Sequence, residues 1–169
     1  KKDVVLRIGA FDPAFFMYNE DVEVCLRSWV AGFRVLYVPK AVVYHKWRLD
    51  MSRRQKPDFA FHMHKNTLLI LLKNFKATTI VRWMPPALAY KLLWTGNYLH
   101  SGNPSAALAV LRSVIWTLRN FPHVLNERRR FMPRRLKSDS VLERCCTPIS
   151  EALKEYRRRV MLDWGDKIQ

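Results

Sequence analysis

The sequence predicts an α/β fold for residues 1–75 and a mainly helical arrangement for residues 76–169. Apolar residues recur at helical spacing over 20–31, and two short runs rich in β-branched and aromatic residues, 33–38 and 41–44, follow directly. A helix followed closely by two strands is typical of a helix packed on a sheet. Beyond residue 75 the apolar pattern is helical instead. We therefore expect two regions, residues 1–75 and residues 76–169.

The first region begins with an incoming element and then a well-marked helix. Residues 2–8 could form a short strand or another incoming element. In the helix that follows, Asn19 stands at the N-cap position and Gly32 lies just beyond the C-terminal end. Glu23 and Arg27, four residues apart, can pair on its exposed face.

Four further helical patterns follow a polar segment. Residues 46–58 are polar and basic without periodicity, which is typical of a mobile loop. Residues 59–75 are helical again, and the apolar stretch 79–99 is predicted to be broken by a Pro-Pro pair and a glycine. A helix over 104–121 starts with an Asn-Pro pair, and a charged helix covers 150–162.

The helix over 104–121 has one strongly apolar face. The residues of this face are Ala107, Leu108, Leu111, Val114, Ile115 and Leu118. Neither this helix nor the stretch 79–99 has the roughly 18 uninterrupted apolar residues of a transmembrane span. Both suit an orientation in the plane of a membrane surface.

The charge of the chain is strongly positive and uneven. The 169 residues include 30 Lys and Arg against 14 Asp and Glu, a formal net charge of +16. Residues 1–75 hold 13 basic and 7 acidic side chains, and residues 76–169 hold 17 and 7. Such an excess favours polyanionic partners: nucleic acid, anionic lipid or phosphorylated substrates. The second region is the docking surface that we expect.

The cysteines indicate a reducing compartment. Cys25, Cys145 and Cys146 are odd in number and lack the spacing of a zinc site or a disulfide framework. Cys25 lies among apolar helix positions, and we expect it to be buried. The N-terminus has no signal-peptide core and no Met, and it runs directly into a structured pattern, so we expect an upstream part to be missing.

An acidic pair preceded by an aromatic loop is the strongest candidate for chemistry. Glu20 and Asp21 open the predicted helix, although carboxylates are also common there because they complement the helix dipole. The loop before them is too apolar for an ordinary solvent loop, and Phe16 and Tyr18 could form a wall for a bound substrate. His45 closes the second predicted strand, where a lone histidine is usually structural.

These residues belong to a longer ordered motif. Its members are Gly9, Phe11, Asp12, Phe15, Phe16, Glu20, Asp21, Leu26, Arg27, Gly32, Phe33, Arg34, Pro39 and His45. This run resembles the C-terminal part of the catalytic domain of family 2 glycosyltransferases, and it is most similar to their bacterial rhamnosyltransferase-like branch. The resemblance covers about residues 7–75.

The resemblance implies the C-terminal portion of a GT-A fold, an inverting mechanism, and a nucleotide-sugar donor bound with a divalent metal, Mn or Mg. In such a site one carboxylate takes the proton from the acceptor hydroxyl as its oxygen attacks the anomeric carbon. The match gives that role to Asp21, with Glu20 supporting it or contacting the acceptor. It also implies His45 as a metal ligand. Trp47 and Arg48 could close over the donor diphosphate.

The donor side of such an enzyme is not evident in this sequence. The family's donor site needs an N-terminal nucleotide-binding half with a DxD-type motif, and no such motif occurs here. We therefore expect a C-terminal fragment that transfers no sugar by itself. The donor-binding half would be missing or would lie on another chain.

The basic second region has two interpretations. Clustered Lys and Arg contribute about 1 kcal/mol each near an anionic leaflet, and Trp83, Trp94 and Trp116 suit the headgroup zone. This favours an anionic membrane surface as the partner. The resemblance, whose enzymes commonly use lipid-linked acceptors, then implies a peripheral protein on the cytoplasmic face of the cell membrane that acts on a lipid-linked or polysaccharide acceptor in cell-surface glycan biosynthesis. The alternative is a non-enzymatic basic module that binds anionic membrane or nucleic acid. We expect no nucleic-acid partner, because the sequence has no zinc finger, RNA-binding sheet motif or clear helix-turn-helix.

Overall fold

The computed structural model describes residues 1–44, 56–144, 146 and 149–165, and the regular structure of these residues is helical. The helices are α1 Lys2–Arg7, α2 Glu20–Val30, α3 Pro57–Asn74, α4 Ala77–His100, α5 Pro104–Arg119, α6 Phe121–Phe131, α7 Asp139–Glu143 and α8 Ile149–Gly165. A short 3-10 helix, Met132–Arg134, follows α6. The helices predicted over 20–31, 59–75, 104–121 and 150–162 are confirmed as α2, α3, α5 and α8, with ends shifted by a few residues.

The predicted α/β fold, and with it the C-terminal portion of a GT-A fold, is wrong for the described residues. Residues 33–38 and 41–44 are not strands, and the described ranges contain no sheet. Their side chains project into solvent, with Tyr37 90% and Tyr44 97% exposed. A strand is stable only when a neighbouring strand satisfies its backbone N–H and C=O groups. These residue types favour an extended backbone, but no second strand lies beside them in the part of the chain that the structure describes.

The first element is a helix, not a strand. α1 carries Asp3 in its first turn and Arg7 in its last turn, and both charges complement the helix dipole. Gly9 follows with a φ of 97°, a left-handed conformation that favours glycine. Its N–H donates to the carbonyl of Leu6 at 3.1 Å, which closes the end of α1.

α3 is the central helix of the molecule. Its residues enter all three apolar clusters of the interior. One cluster joins Leu71 to α2 and α6, a second joins Ala60 to α4 and α5, and a third joins Leu69 to α6 and to the loop before α2. α3 therefore sets the positions of its neighbours on every side.

The C-terminal end of α2 is closed tightly at Gly32. This residue has a φ of 88°, and its N–H donates to the carbonyl of Trp29 at 3.0 Å. A Cβ added to Gly32 would lie 3.1 Å from Cδ1 of Leu136. The N–H of Leu136 donates in turn to the carbonyl of Val30 at 2.7 Å. The prediction that Gly32 ends this helix is confirmed, because no other residue combines this conformation with so little volume.

Cys25 is exposed, so the expectation that it is buried is wrong. The buried residues of α2 are Glu23, Leu26, Arg27, Ser28 and Val30. Two of these are charged and pair with each other, which turns the buried face away from Val22 and Cys25. The apolar pattern alone cannot anticipate a buried ion pair.

α4 runs through Pro85 and Pro86 without a break, so the predicted interruption of the stretch 79–99 is wrong. Each proline lacks the N–H that would reach a carbonyl one turn earlier. Met84 and Ala87, on either side of the pair, pack against the same apolar cluster as Leu71. This packing holds the two halves of the helix in line.

α5 buries its small residues and exposes its large ones. The buried residues are Ala106, Ala107, Ala109, Val110, Ser113 and Thr117. Of the predicted apolar face, Ala107 points inward, whereas Leu108, Leu111, Ile115 and Leu118 are exposed. Small side chains let α5 lie close against α3 and leave the leucines outside. The predicted N-cap is confirmed, since the side chain of Asn103 accepts from the N–H of Ala106 at 3.0 Å.

Candidate functional site

The acidic pair begins α2 as predicted, and its two carboxylates have different surroundings. Asp21 is exposed, and its Oδ1 accepts a hydrogen bond from the N–H of Val22 at 2.8 Å. Glu20 is half-buried, and its Oε2 has no hydrogen-bond partner within the described ranges. The unpaired N–H groups of a first helical turn favour negative charge. Asp21 therefore offers a carboxylate that a substrate can reach from solvent.

Asn19 occupies the N-cap position without acting as a side-chain cap. Its backbone is left-handed, with a φ of 63°, and its side chain makes no capping hydrogen bond. The Nδ2 atom lies 4.0 Å from the Sδ of Met63 instead. The sequence thus predicted the position of the cap and not its geometry.

The aromatic loop before α2 packs against the beginning of α3. The ring of Phe16 lies 5.3 Å from that of His62, and the ring of Tyr18 lies 4.9 Å from that of Phe59, measured between centroids. Phe16 is nevertheless 73% exposed. The loop therefore presents an open aromatic face immediately before the acidic pair.

One buried amide holds this loop in its shape. The left-handed residues of the loop are Phe16, Tyr18 and Asn19, with φ of 59°, 65° and 63°. This conformation costs a non-glycine residue about 1 kcal/mol. The Nδ2 of the fully buried Asn66 donates to the carbonyls of Phe15, Met17 and Tyr18, at 2.9, 2.7 and 2.6 Å respectively. These contacts join the strained loop directly to α3.

Two lysines of α3 reach the beginning of the same loop. Lys65 donates to the carbonyl of Ala14, and its ammonium lies 4.8 Å from the ring centroid of Trp116. Burial lowers the pKa of Lys65. Lys73 pairs with Asp12. Burial acts to raise the pKa of Asp12, but the hydrogen bond and the charge of Lys73 outweigh it and hold that pKa below its ordinary value.

A buried ion pair ties α2 to the segment after α1. Glu23 and Arg27 pair at 2.6 Å as their spacing predicts, but both side chains are buried and not exposed. Arg27 also donates to the carbonyls of Ile8, at 2.7 Å, and Ala10. Asn74 of α3 donates to Glu23 at 3.4 Å. Loss of one partner would leave the other charge buried and uncompensated.

Sequence reasoning missed the polar residues of α3 that hold these segments. The dipeptide Lys65-Asn66 recurs eight residues later as Lys73-Asn74. A spacing of eight is slightly more than two helical turns, so both pairs lie on roughly one side of the helix. A repeated polar pair inside an apolar helix is the signal that could have identified them, because buried polar groups need partners.

His62 and His64 face different directions, as their spacing in a helix predicts. His62 contacts Phe16 and Phe61, whereas His64 lies 6.3 Å from the ring of Trp94. Burial lowers the pKa of His62, and it lowers the pKa of His64 to about 3. The imidazole of His62 therefore lies beside the aromatic loop, and its lowered pKa favours the neutral form of the ring.

His45, Trp47 and Arg48 lie outside the described residues, together with residues 46–55 of the loop predicted over 46–58. The metal ligand and the diphosphate contacts stay predictions for that reason. Within the described ranges, no group of three or more His, Cys, Asp or Glu side chains could hold a metal ion.

The arginine cluster over 128–135 is divided between the interior and the surface. Arg128 and Arg135 donate to carbonyls at the C-terminal end of α3, where positive charge is favoured. Arg135 also pairs with Asp139. The outward-facing members are Arg129, Arg130 and Arg134. Two of the arginines that we predicted to bind a partner therefore stabilise the fold instead.

An exposed apolar surface lies on α5. We call Leu108, Leu111, Ile115 and Leu118 the outer face of α5; all four are more than two fifths exposed. Their spacing places them on one side of the helix, and the exposed Arg112 and Arg119 lie along one edge of it. Among the helices that the structure describes, none has the length and apolarity to cross a membrane.

Comparison with known proteins relates part of this chain to glycosyltransferases. A stretch of 69 residues is 35% identical to the rhamnosyltransferase WbbL of Escherichia coli (strain K12), and it covers 41% of this chain and 26% of that protein. A stretch of 65 residues is 38% identical to the N-acetylglucosaminyl-diphospho-decaprenol L-rhamnosyltransferase of Mycobacterium tuberculosis, with the same values in strains CDC 1551 / Oshkosh and ATCC 25618 / H37Rv; it covers 38% of this chain and 21% of the relative. The chain thus spans about a quarter of the length of the curated relatives that it matches. No protein-family model and no solved structure matches it.

Proposed function

We propose that this chain contributes the acceptor side of a glycosyltransferase that moves a sugar from a nucleotide-sugar donor to a lipid-linked acceptor in cell-surface glycan assembly. The observation that carries the proposal is the similarity of about two fifths of the chain to rhamnosyltransferases. The mycobacterial relative is named for N-acetylglucosaminyl-diphospho-decaprenol, a sugar on a lipid diphosphate. An acceptor of the same chemical class is the one we propose here.

Asp21 is the general base in this proposal. Sugar transfer requires a group that takes the proton from the acceptor hydroxyl while its oxygen attacks the anomeric carbon of the donor sugar. Asp21 is exposed at the N-terminal end of α2 and is therefore accessible to an acceptor. In an inverting displacement the nucleoside diphosphate leaves from the opposite face of the sugar. Glu20 beside it would bind or orient the acceptor.

Phe16 and Tyr18 form the wall against which the acceptor sugar packs. An aromatic ring offers a large apolar surface at a low cost in side-chain entropy. Both residues belong to the loop that Asn66 holds in place. A wall that is ordered before the substrate arrives reduces the entropy lost when the acceptor hydroxyl is positioned at Asp21.

The donor side of the proposal depends on residues outside the described ranges. His45 would ligate a divalent ion, Mn or Mg, whose charge stabilises the leaving diphosphate. Trp47 and Arg48 would contact the same diphosphate.

The proposed location of the protein is the cytoplasmic surface of the cell membrane, where it can reach a lipid-linked acceptor. The outer face of α5 exposes apolar side chains along one side of an amphipathic helix. Arg112 and Arg119 at its edge would each contribute about 1 kcal/mol near an anionic leaflet. The protein would bind this surface peripherally, with α5 in the plane of the membrane.

Transfer of a labelled sugar to lipid tests the proposal. The intact protein is incubated with N-acetylglucosaminyl-diphospho-prenol and a panel of nucleotide sugars that includes an activated rhamnose. We expect one donor to yield a lipid that carries one additional sugar. The Asp3→Asn variant, which changes an exposed carboxylate in the first turn of α1, should form the same product. Failure of every donor with folded protein would contradict the proposal.

A further inference from the structure

A cavity of about 390 Å³ lies between the turn that follows α1 and the helices α2, α3 and α6. Its size is in the range of sites for small molecules. The floor reaches into the interior, because Ile8, Arg27, Lys73 and Asn74 line it and each is less than one tenth exposed. The acidic pair and the exposed aromatic residues of the candidate site do not line this cavity. It is therefore a second concave site and not a flat patch of surface.

The charges on the floor of the cavity are already compensated. Lys73 pairs with Asp12, which also lines the cavity. Arg27 pairs at 2.6 Å with Glu23, whose side chain is buried in α2. Each cation of the floor thus has one carboxylate of its own. The floor offers polar groups to a ligand without a net charge.

The rim on the side of α6 has an excess of positive charge. Arg130 of α6 and Arg134 of the 3-10 helix both line the cavity, and both are exposed. Arg130 donates from Nη1 to Oε1 of Glu127 at 2.9 Å, so that this carboxylate compensates one of the two charges. The guanidinium of Arg134 has no hydrogen bond or ion pair with any residue that the structure describes. One positive charge at the rim therefore lacks a counter-charge in the described part of the chain.

We propose that this cavity binds a small soluble phosphate ester, with the phosphate held by Arg134 and Arg130 and the rest of the molecule inside the cavity. Guanidinium groups present forked N–H donors that match phosphate oxygens, and a phosphate ester has three such oxygens for two guanidiniums. Phe11, which is 57% exposed, gives the wall an aromatic surface against which the body of the ligand packs. A lipid headgroup fits less well, because its acyl chains hold the phosphate at the bilayer surface while the cavity descends to buried residues.

Calorimetry with matched ligands tests the proposal. Glycerol 3-phosphate, glucose 6-phosphate and adenosine monophosphate share one phosphate and differ in the body of the molecule. We expect at least one of them to bind with a Kd of about 1 mM or lower. Its counterpart without phosphate should bind at least about tenfold more weakly, because the charge-assisted hydrogen bonds are lost. Failure of all three esters to bind, or equal affinity of an ester and its phosphate-free counterpart, would overturn the inference.

Two substitutions that remove the same charge provide a matched comparison. Arg134→Gln, at the rim, should weaken binding of the ester about tenfold. Arg129→Gln changes an exposed arginine of α6 outside the cavity and should leave the affinity nearly unchanged. Both positions are exposed, so neither change disturbs the packing of the fold. Equal weakening in the two variants would show that only the net charge attracts the ligand, and it would overturn the inference.

Vesicles that contain phosphatidic acid distinguish a soluble ester from a lipid, since this lipid carries the same phosphate monoester. We expect Arg134→Gln and Arg129→Gln to sediment with such vesicles to the same extent. Loss of vesicle binding in Arg134→Gln alone, with no binding of the soluble esters, would assign the rim to the membrane and overturn the inference. The inference requires no sugar transfer, so a failed transfer assay would contradict the proposed function and leave the cavity assignment standing.

Discussion

Single polar residues of α3 set the shape of the candidate site. Lys65, Asn66, Lys73 and Asn74 are buried in a helix whose other buried positions are largely apolar. Burial of a polar group is unfavourable unless the group is hydrogen-bonded. Each of these four bonds to a segment outside α3. These contacts therefore hold the aromatic loop and α2 in position against α3.

Replacement of Asn66 tests this role of α3. Asn66→Ala removes the amide donor shared by three loop carbonyls, of which only that of Phe15 keeps a second donor within the described ranges, the N–H of Met17. We expect the free energy of unfolding to fall by about 2 kcal/mol. Denaturant unfolding measures the change. Asn126→Ala, at an exposed position of α6, should alter stability by less than about 0.5 kcal/mol. Similar values for the two variants would show that the amide does not hold the loop.

Lys91 predicts a pH dependence of stability. It is buried, and its ammonium donates to the carbonyl of His64 at 2.7 Å and to Oγ1 of Thr67 at 3.0 Å. Burial lowers the pKa of Lys91 to about 7, whereas an unfolded chain holds this proton up to about pH 10.4. Between these values unfolding takes up a proton, so the contribution of Lys91 to stability rises with pH by up to about 1.4 kcal/mol per unit.

Denaturant unfolding at several pH values above 7 measures this slope. Lys91→Met should reduce the rise to the part that comes from Lys65, whose pKa burial also lowers. Lys137→Met, at an exposed position, should retain the full rise. Parallel pH profiles for the wild-type protein and Lys91→Met would contradict a lowered pKa at this position.

At the scale of helices, α5 buries one face in the fold, and the opposite face is the one that we propose binds the membrane. The buried face consists of small residues that allow close contact with α3, and the outer face carries the large apolar ones. A soluble helix that follows the usual pattern buries its leucines instead. The outer face is therefore the part of the molecule where a membrane-binding role can be tested without disturbing the core.

Vesicle binding tests the outer face. Leu111→Ser combined with Ile115→Ser should weaken binding to anionic vesicles by about tenfold or more, because two large apolar side chains no longer enter the membrane. Stability should change little, since both residues are exposed. Leu6→Ser, at an exposed position of α1, serves as the control. Unchanged sedimentation of the double variant with vesicles would contradict a docking role for α5.

At the scale of the whole molecule, the features that depend on neighbouring residues could be predicted from the sequence. The features that depend on contacts between distant residues could not. Periodicity located α2, α3, α5 and α8 because it depends on residues within one helix. The predicted sheet failed because residues 33–38 and 41–44 need a neighbouring strand, which their own propensity cannot supply. Likewise, α4 continues through its prolines because of packing on distant residues.

The candidate site shows the same division. The acidic pair and the aromatic loop were found from sequence, since the signals are contiguous. Asn66 was missed although it lies under the loop, because it comes 48 positions after one of its partners, Tyr18. The roles of Asp21 and Glu20 stay predictions, and so do those of His45, Trp47 and Arg48, which lie outside the described ranges.

The central claim is that Asp21 is the base of a sugar transfer, and the transfer rate of Asp21→Asn in the intact protein tests it most directly. Donor affinity is measured alongside, so that binding and chemistry are separated. We expect the rate to fall by about 10²- to 10⁴-fold, the usual contribution of a general base, with donor affinity nearly unchanged. A transfer rate equal to that of the wild-type protein would contradict the claim.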